Sequence, residues 1–180
     1  MIVIKKTLRK MKKIILTFSL GLVSFCNAQV AIGKSNVNGD STILDFKDSD
    51  NWFGIILPAV QQASETLTPA NNGTFLFDKT DQKVKMYENN KWVMLSHAKG
   101  NGTPIVNNAT AEVGTGAIIG ASTTSAKGVL VLESDNKAAI LPKIFRPDIN
   151  VRSPYPGMIC YDTFNKMIAV FDGSVWNFWK

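Results

Sequence analysis

The chain has 180 residues, with 20 Lys+Arg against 14 Asp+Glu and a single histidine. The excess of base lies wholly in the first 28 residues, where Lys5, Lys6, Arg9, Lys10, Lys12 and Lys13 face no acid, so residues 29–180 balance at 14 against 14. A neutral body excludes the clustered Lys and Arg that nucleic acid or an anionic membrane selects, and one histidine with one body cysteine excludes a zinc cluster within a single chain.

Residues 1–28 read as a secretory signal peptide. A basic start leads into the apolar run from Ile14 to Phe25, and small residues, Cys26 to Ala28, close it. That run is shorter than the roughly 20 residues a membrane helix needs, and no stable span is expected in the mature chain. Met11 offers a second start. Two exits compete: cleavage after Ala28, and acylation of Cys26 in a lipoprotein box running from Val23. Phe25 is bulky where such a box has a small residue, which favours cleavage. Export of this kind places the protein in the periplasm, in the envelope or outside a Gram-negative bacterium. Cys160 then has no partner for an intramolecular disulfide and is expected to be a small buried hydrophobe.

The mature part divides into a β module over 29–95, a polar linker over 96–112 and a second β module over 113–180. The fold class is mostly β: two small repeated, antiparallel, hairpin-rich modules after the leader. In the first module, Thr42 to Phe46 and Trp52 to Pro58 are strand candidates around the polar turn 47–51. Gly73 to Asp78 then begins a hairpin. Its return strand alternates, with Lys83 and Lys85 outward and Val84 and Met86 inward, and it ends at Tyr87. Trp92 follows as a lid. The linker is rich in Gly, Asn, Thr and Ala and is expected on the surface. In the second module, Ile118 to Gly120 echoes Ile32 and Gly33, and Val129 to Leu132 and Ala138 to Pro142 are strand candidates. The segment from Lys143 to Pro156 carries three prolines besides Pro142 and is expected as an ordered loop without helix.

The hairpin occurs twice at a gapless shift of 84 residues. Gly73 falls on Gly157, Asp78 on Asp162, Tyr87 on Phe171 and Trp92 on Trp176. Ile56-Leu57-Pro58 falls on Ile140-Leu141-Pro142. The period is longer than the 20–50 residues of solenoid repeats. Each module of about 65 residues supplies a small core, so stability is expected from packing of the copies or from association of chains, association being preferred. The repeat positions Gly73, Asp78, Trp92, Gly157, Asp162 and Trp176 are expected to be structural, with Asp78 and Asp162 capping turns.

No catalytic, cofactor or metal residues emerge. There is no G-x-S-x-G elbow and no phosphate-cradling glycine loop. His97 has no ligand-spaced neighbours. The alternating Asp45, Asp48 and Asp50 lack the glycine and distal Glu of a calcium loop and read as a solvated turn. The aromatics remain. Trp92 and Trp176 read as core lids, whereas Tyr155, Trp179 and Trp52 are the candidate ligand or partner surface.

Ile-Leu-Pro, then Gly-x-x-x-Tyr/Phe-Asp, then Tyr/Phe-Asp-Gly-x-x-Trp is similar to tandem β-hairpin repeats of secreted bacterial surface proteins and phage tail-fibre-like proteins. Glu88-Asn89 departs from that pattern. The resemblance implies an adhesive or structural component, often elongated and often trimeric, with itself as partner and no enzymatic residues to carry over. The alternative function is a secreted glycan- or peptide-binding module.

Overall fold

A computed structural model describes residues 29–106 and 116–180, together with Met11 and Gly114. The signal-peptide reading and linker residues 107–112 fall outside the described residues. The fold is mostly β, with a solenoid-like arrangement and antiparallel hairpins.

The first copy opens with β1 (Val30–Ile32) and β2 (Thr42–Phe46), paired in parallel. The second copy opens the same way with β8 (Ala117–Ile119) and β9 (Leu130–Leu132). Short β3 (Ile55–Ile56) and β4 (Ala59–Val60) follow β2, with β10 (Ala138–Ala139) and β11 (Lys143–Ile144) as their later counterparts. The 84-residue period is longer than that of solenoid repeats and argues against a solenoid. The structure corrects this: the coil consists of parallel rungs inside each copy, β1 with β2, β4 with β5 and β11 with β12, and the long period spans several of them.

The repeated hairpin is β5 (Phe75–Asp78) with β6 (Lys83–Glu88), and β12 (Met158–Asp162) with β13 (Met167–Phe171). The registers agree pair for pair: Phe75 faces Met86 and Phe77 faces Val84, as Ile159 faces Val170 and Tyr161 faces Ile168. Gly73 and Gly157 sit at φ +88 and +84, a conformation that a side chain resists. Gln82 and Lys166 hold matching left-handed positions in the hairpin turns. The aromatic ends are strands in their own right, β7 (Lys91–Met94) and β14 (Trp176–Trp179), so each copy closes as a three-stranded meander.

Lys85 is not outward. Only 8% of it is exposed, because the face opposite Val84 is also covered and its ammonium reaches Asp78 at 2.8 Å and also pairs with Asp81. In the second copy Ala169 takes that position, fully buried. The 143–156 segment does contain one helical turn, Pro147–Asn150. Proline suits the first helical turn, where its missing N–H costs nothing.

The copies share one core. Phe77, Val84 and Leu95 of the first pack with Ile159 and Val170 of the second. They also exchange strands: β3 of the first copy pairs with β12, and β10 of the second pairs with β2. Residues 96–106, expected as a surface linker, are tied to both copies at their middle. Gly100 N–H donates to Gln82 O and Asn101 N–H to Asp172 O, each at 2.8 Å. A Cβ on Gly173 would lie 1.8 Å from Asn101 O, so that turn needs glycine for close approach as well as for its φ of +93.

Candidate functional site

The matched carboxylates of the repeated turns, Asp78 and Asp162, are buried and cap the backbone of their turns. Asp78 is 1% exposed. Its Oδ1 accepts the N–H of Thr80 at 2.9 Å and of Asp81 at 3.1 Å, while Oδ2 accepts the N–H of Ala63 at 2.9 Å. Asp162 Oδ1 accepts the equivalent N–H of Phe164 at 2.9 Å, and Asn165 Nδ2 donates to Oδ2 at 2.6 Å. Asp172 caps the next turn through the N–H groups of Ser174 and Val175. These are turn caps of the kind Asp forms with residues two and three ahead.

Burial disfavours the Asp78 carboxylate, but the Lys85 ammonium and the N–H groups of Ala63 and Asp81 outweigh it and hold its pKa below the usual value. Burial likewise opposes the charge on Lys85, yet Asp78 and Asp81 raise its pKa. Burial, followed by the Asp162 charge, pushes the Cys160 thiol up to about 12. A thiol held neutral and fully buried is inert at physiological pH.

Asp45 is not part of a solvated turn. It is fully buried, paired with Lys34, and accepts the N–H of Asn38 and of Phe46, each at 2.8 Å. A fixed ammonium and two backbone donors take the oxygens a cation would need. Among the described residues no group of three His, Cys, Asp or Glu is placed to hold a metal ion.

The three candidate surface aromatics are differently placed. Trp179 is half-buried against the shared core, and its indole N–H donates to Leu95 O at 2.8 Å, so it fastens the copies together. Leu95 is its own counterpart one repeat earlier. Tyr155 is half-buried and its hydroxyl accepts the Val106 N–H at 3.1 Å. Trp52 is exposed, beside the still more exposed Phe53. The repeat tryptophans brace their meanders. Trp92 stands edge-on to Tyr87 at 5.3 Å and donates to Ser64 O at 2.8 Å. Trp176 lies 5.4 Å from Phe171 and packs on the buried cluster of Ile144, Cys160 and Ala169.

One surface group has no counterpart in the first copy. Phe145 and Phe164 are exposed and meet edge to face at 5.5 Å, with the Arg146 guanidinium 5.2 Å from the Phe164 ring. Arg146 sits at φ +47, and its N–H donates to Asp162 at 3.2 Å. The signal for this group was legible as the departures Phe145 and Phe164 from Gln61 and Thr80 at the same shift. Among the described residues no helix is long and apolar enough to cross a membrane. Compared with known proteins, the chain matches no family model, no curated protein and no solved structure.

Proposed function

We propose that the chain is an exported structural or adhesive component of the bacterial envelope or extracellular space, acting by oligomerisation and surface contacts. One observation carries the reading. The two copies already join by lending strands to each other's sheets, β3 to β12 and β10 to β2. Strand addition to an open sheet edge is also how separate chains associate. A chain whose internal joint is made this way is chemically suited to extend it. The test is the mass in solution, by size-exclusion chromatography with light scattering. A mass of several chains supports the proposal, and a single-chain mass at every concentration counts against it.

A second reading, a glycan- or peptide-binding module, is favoured by the exposed Phe145, Phe164 and Arg146 group. Aromatic faces with a nearby polar group suit a sugar ring or a peptide side chain. Binding on a glycan array that Phe164→Ala abolishes, without a change in oligomer, would favour it.

A further inference from the structure

We infer that the joint between the two copies is repeated between chains, so that this protein assembles head to tail with further copies of itself. The inference rests on the self-assembly reading above and specifies its surface.

Each Ile-Leu-Pro segment turns the N–H groups of its Ile and its Leu to opposite edges, while its proline carbonyl accepts from the hairpin strand of its own copy, Pro58 O from the Phe77 N–H and Pro142 O from the Tyr161 N–H, each at 2.9 Å. In the second copy the Ile140 N–H donates to Leu44 O of β2 at 2.8 Å. In the first copy the Leu57 N–H donates the other way, to Gly157 O beside β12, at 3.0 Å. Backbone groups alternate sides along a strand, so the Ile56 N–H faces away from β12. Ile140 is the counterpart of Ile56, and its N–H shows what that edge takes: a strand of the β2 type.

The second copy carries such a strand with its outer edge open. β9 matches β2, since Glu133 N–H bonds Ile119 O as Lys47 N–H bonds Ile32 O, each at 2.9 Å. Leu130 is therefore the counterpart of Leu44. β2 lies between β1 and β10, whereas β9 pairs with β8 and with no other described strand. Leu44 is 3% exposed and Leu130 is 48% exposed; Ile56, on the strand that would cover Leu130, is 45% exposed.

The open edges match as a set, because β4 meets β5 only at Phe77 and Asp78 and leaves the Gly73 end without a described strand on the side where β3 meets β12. β9 of one chain takes the Ile56 strand of the next. The hairpin edge at Gly73 of that next chain takes the Leu141 N–H of the first, as Gly157 takes Leu57. Both contacts repeat the operator that already relates copy one to copy two. Such a joint is heterologous, and it yields closed rings or open filaments according to its rotation.

The test uses the full-length chain, expressed in a bacterium and purified from the fraction in which it accumulates. Leu130→Pro blocks the outer edge of β9, where proline is tolerated because no ladder donor is lost. Ile56→Pro removes the matching donor on the other end. Light scattering should show the unaltered chain as multimers and each variant as a monomer with unchanged circular dichroism. An equimolar mixture of the variants retains one complete joint and should give dimers. A mixture that stays monomeric, or variants that assemble like the parent, overturns the joint while leaving self-assembly standing. A parent chain that is monomeric throughout overturns self-assembly itself. Should a proline variant unfold, the double variant Leu130→Cys with Ile55→Cys decides: oxidation should give a ladder of linked chains that neither single variant forms, and no ladder overturns the joint.

Discussion

Replacing Phe77 by alanine tests whether the two copies fold as one body. The side chain is fully buried at the seam, among Val84 and Leu95 of its own copy and Ile159 and Val170 of the other. Backbone hems it in: a Cβ added at Gly102 would come within 3.1 Å of the ring, and one at Gly157 within 3.3 Å of its Cβ. Walls of this kind relax little, so the void persists and the loss should fall in the range of about 3–5 kcal/mol seen for buried aromatics. For a body of this size that corresponds to a fall in Tm of roughly 6–20 °C. It is also a large part of the roughly 5–15 kcal/mol that holds a typical domain. Urea unfolding should remain a single transition, shifted to a lower midpoint with an unchanged slope. Hydrogen exchange should show β13 losing protection together with β6. Two separated transitions, or lost protection confined to residues 59–95, would refute the shared core.

Other outcomes follow from the same geometry. Asp78 has a lowered pKa in the folded state, so its contribution is present above the unfolded value of about 3.9 and is lost as pH falls through the lower folded value. The Tm of the parent should hold from neutrality to about pH 4 and fall below it; Asp78→Asn should melt lower at neutrality and converge with the parent in acid, and parallel curves would contradict this. Lys85 works in the opposite sense: its raised pKa gives stability below the unfolded value of about 10.4 that is lost as pH rises through the folded value. Cys160, with its pKa near 12, should resist iodoacetamide at pH 8 in the native protein and react once unfolded in urea; rapid native labelling would show that the strand opens. Trp92→Ala and Trp176→Ala remove half-buried braces and should each cost about 2 kcal/mol, less than a fully buried aromatic; unchanged melts for both would assign these side chains to ligand contact.

The repeated hairpin was legible because its signals are local. Gly73 and Gly157 fix a backbone conformation, Asp78 and Asp162 cap turns, and the alternation of Val84 with Met86 and of Ile168 with Val170 sets a register. The strand candidates Trp52 to Pro58 and Ala138 to Pro142 contain β3 and β10, but their partners were not legible. Each pairs over two residues with a strand far away along the chain, so neither periodicity nor turn chemistry announces the exchange. Lys85 misled because alternation marks which face a residue takes and leaves open whether both faces are covered. Trp179 read as a surface aromatic because the first copy has Leu95 there, yet the indole lies on the seam and its N–H reaches Leu95 O. The polar composition of residues 96–106 suggested a surface linker, and most of them are exposed; what composition left out is the close packing at Gly100 and Gly173 that ties the segment to the second meander.

The most direct test of assembly from a repeating strand-exchange joint is negative-stain electron microscopy of the purified full-length chain, with and without Leu130→Pro. The account predicts rings or filaments whose subunits repeat by one constant operation, and their disappearance in the variant. A field of isolated single chains in the parent sample would contradict it.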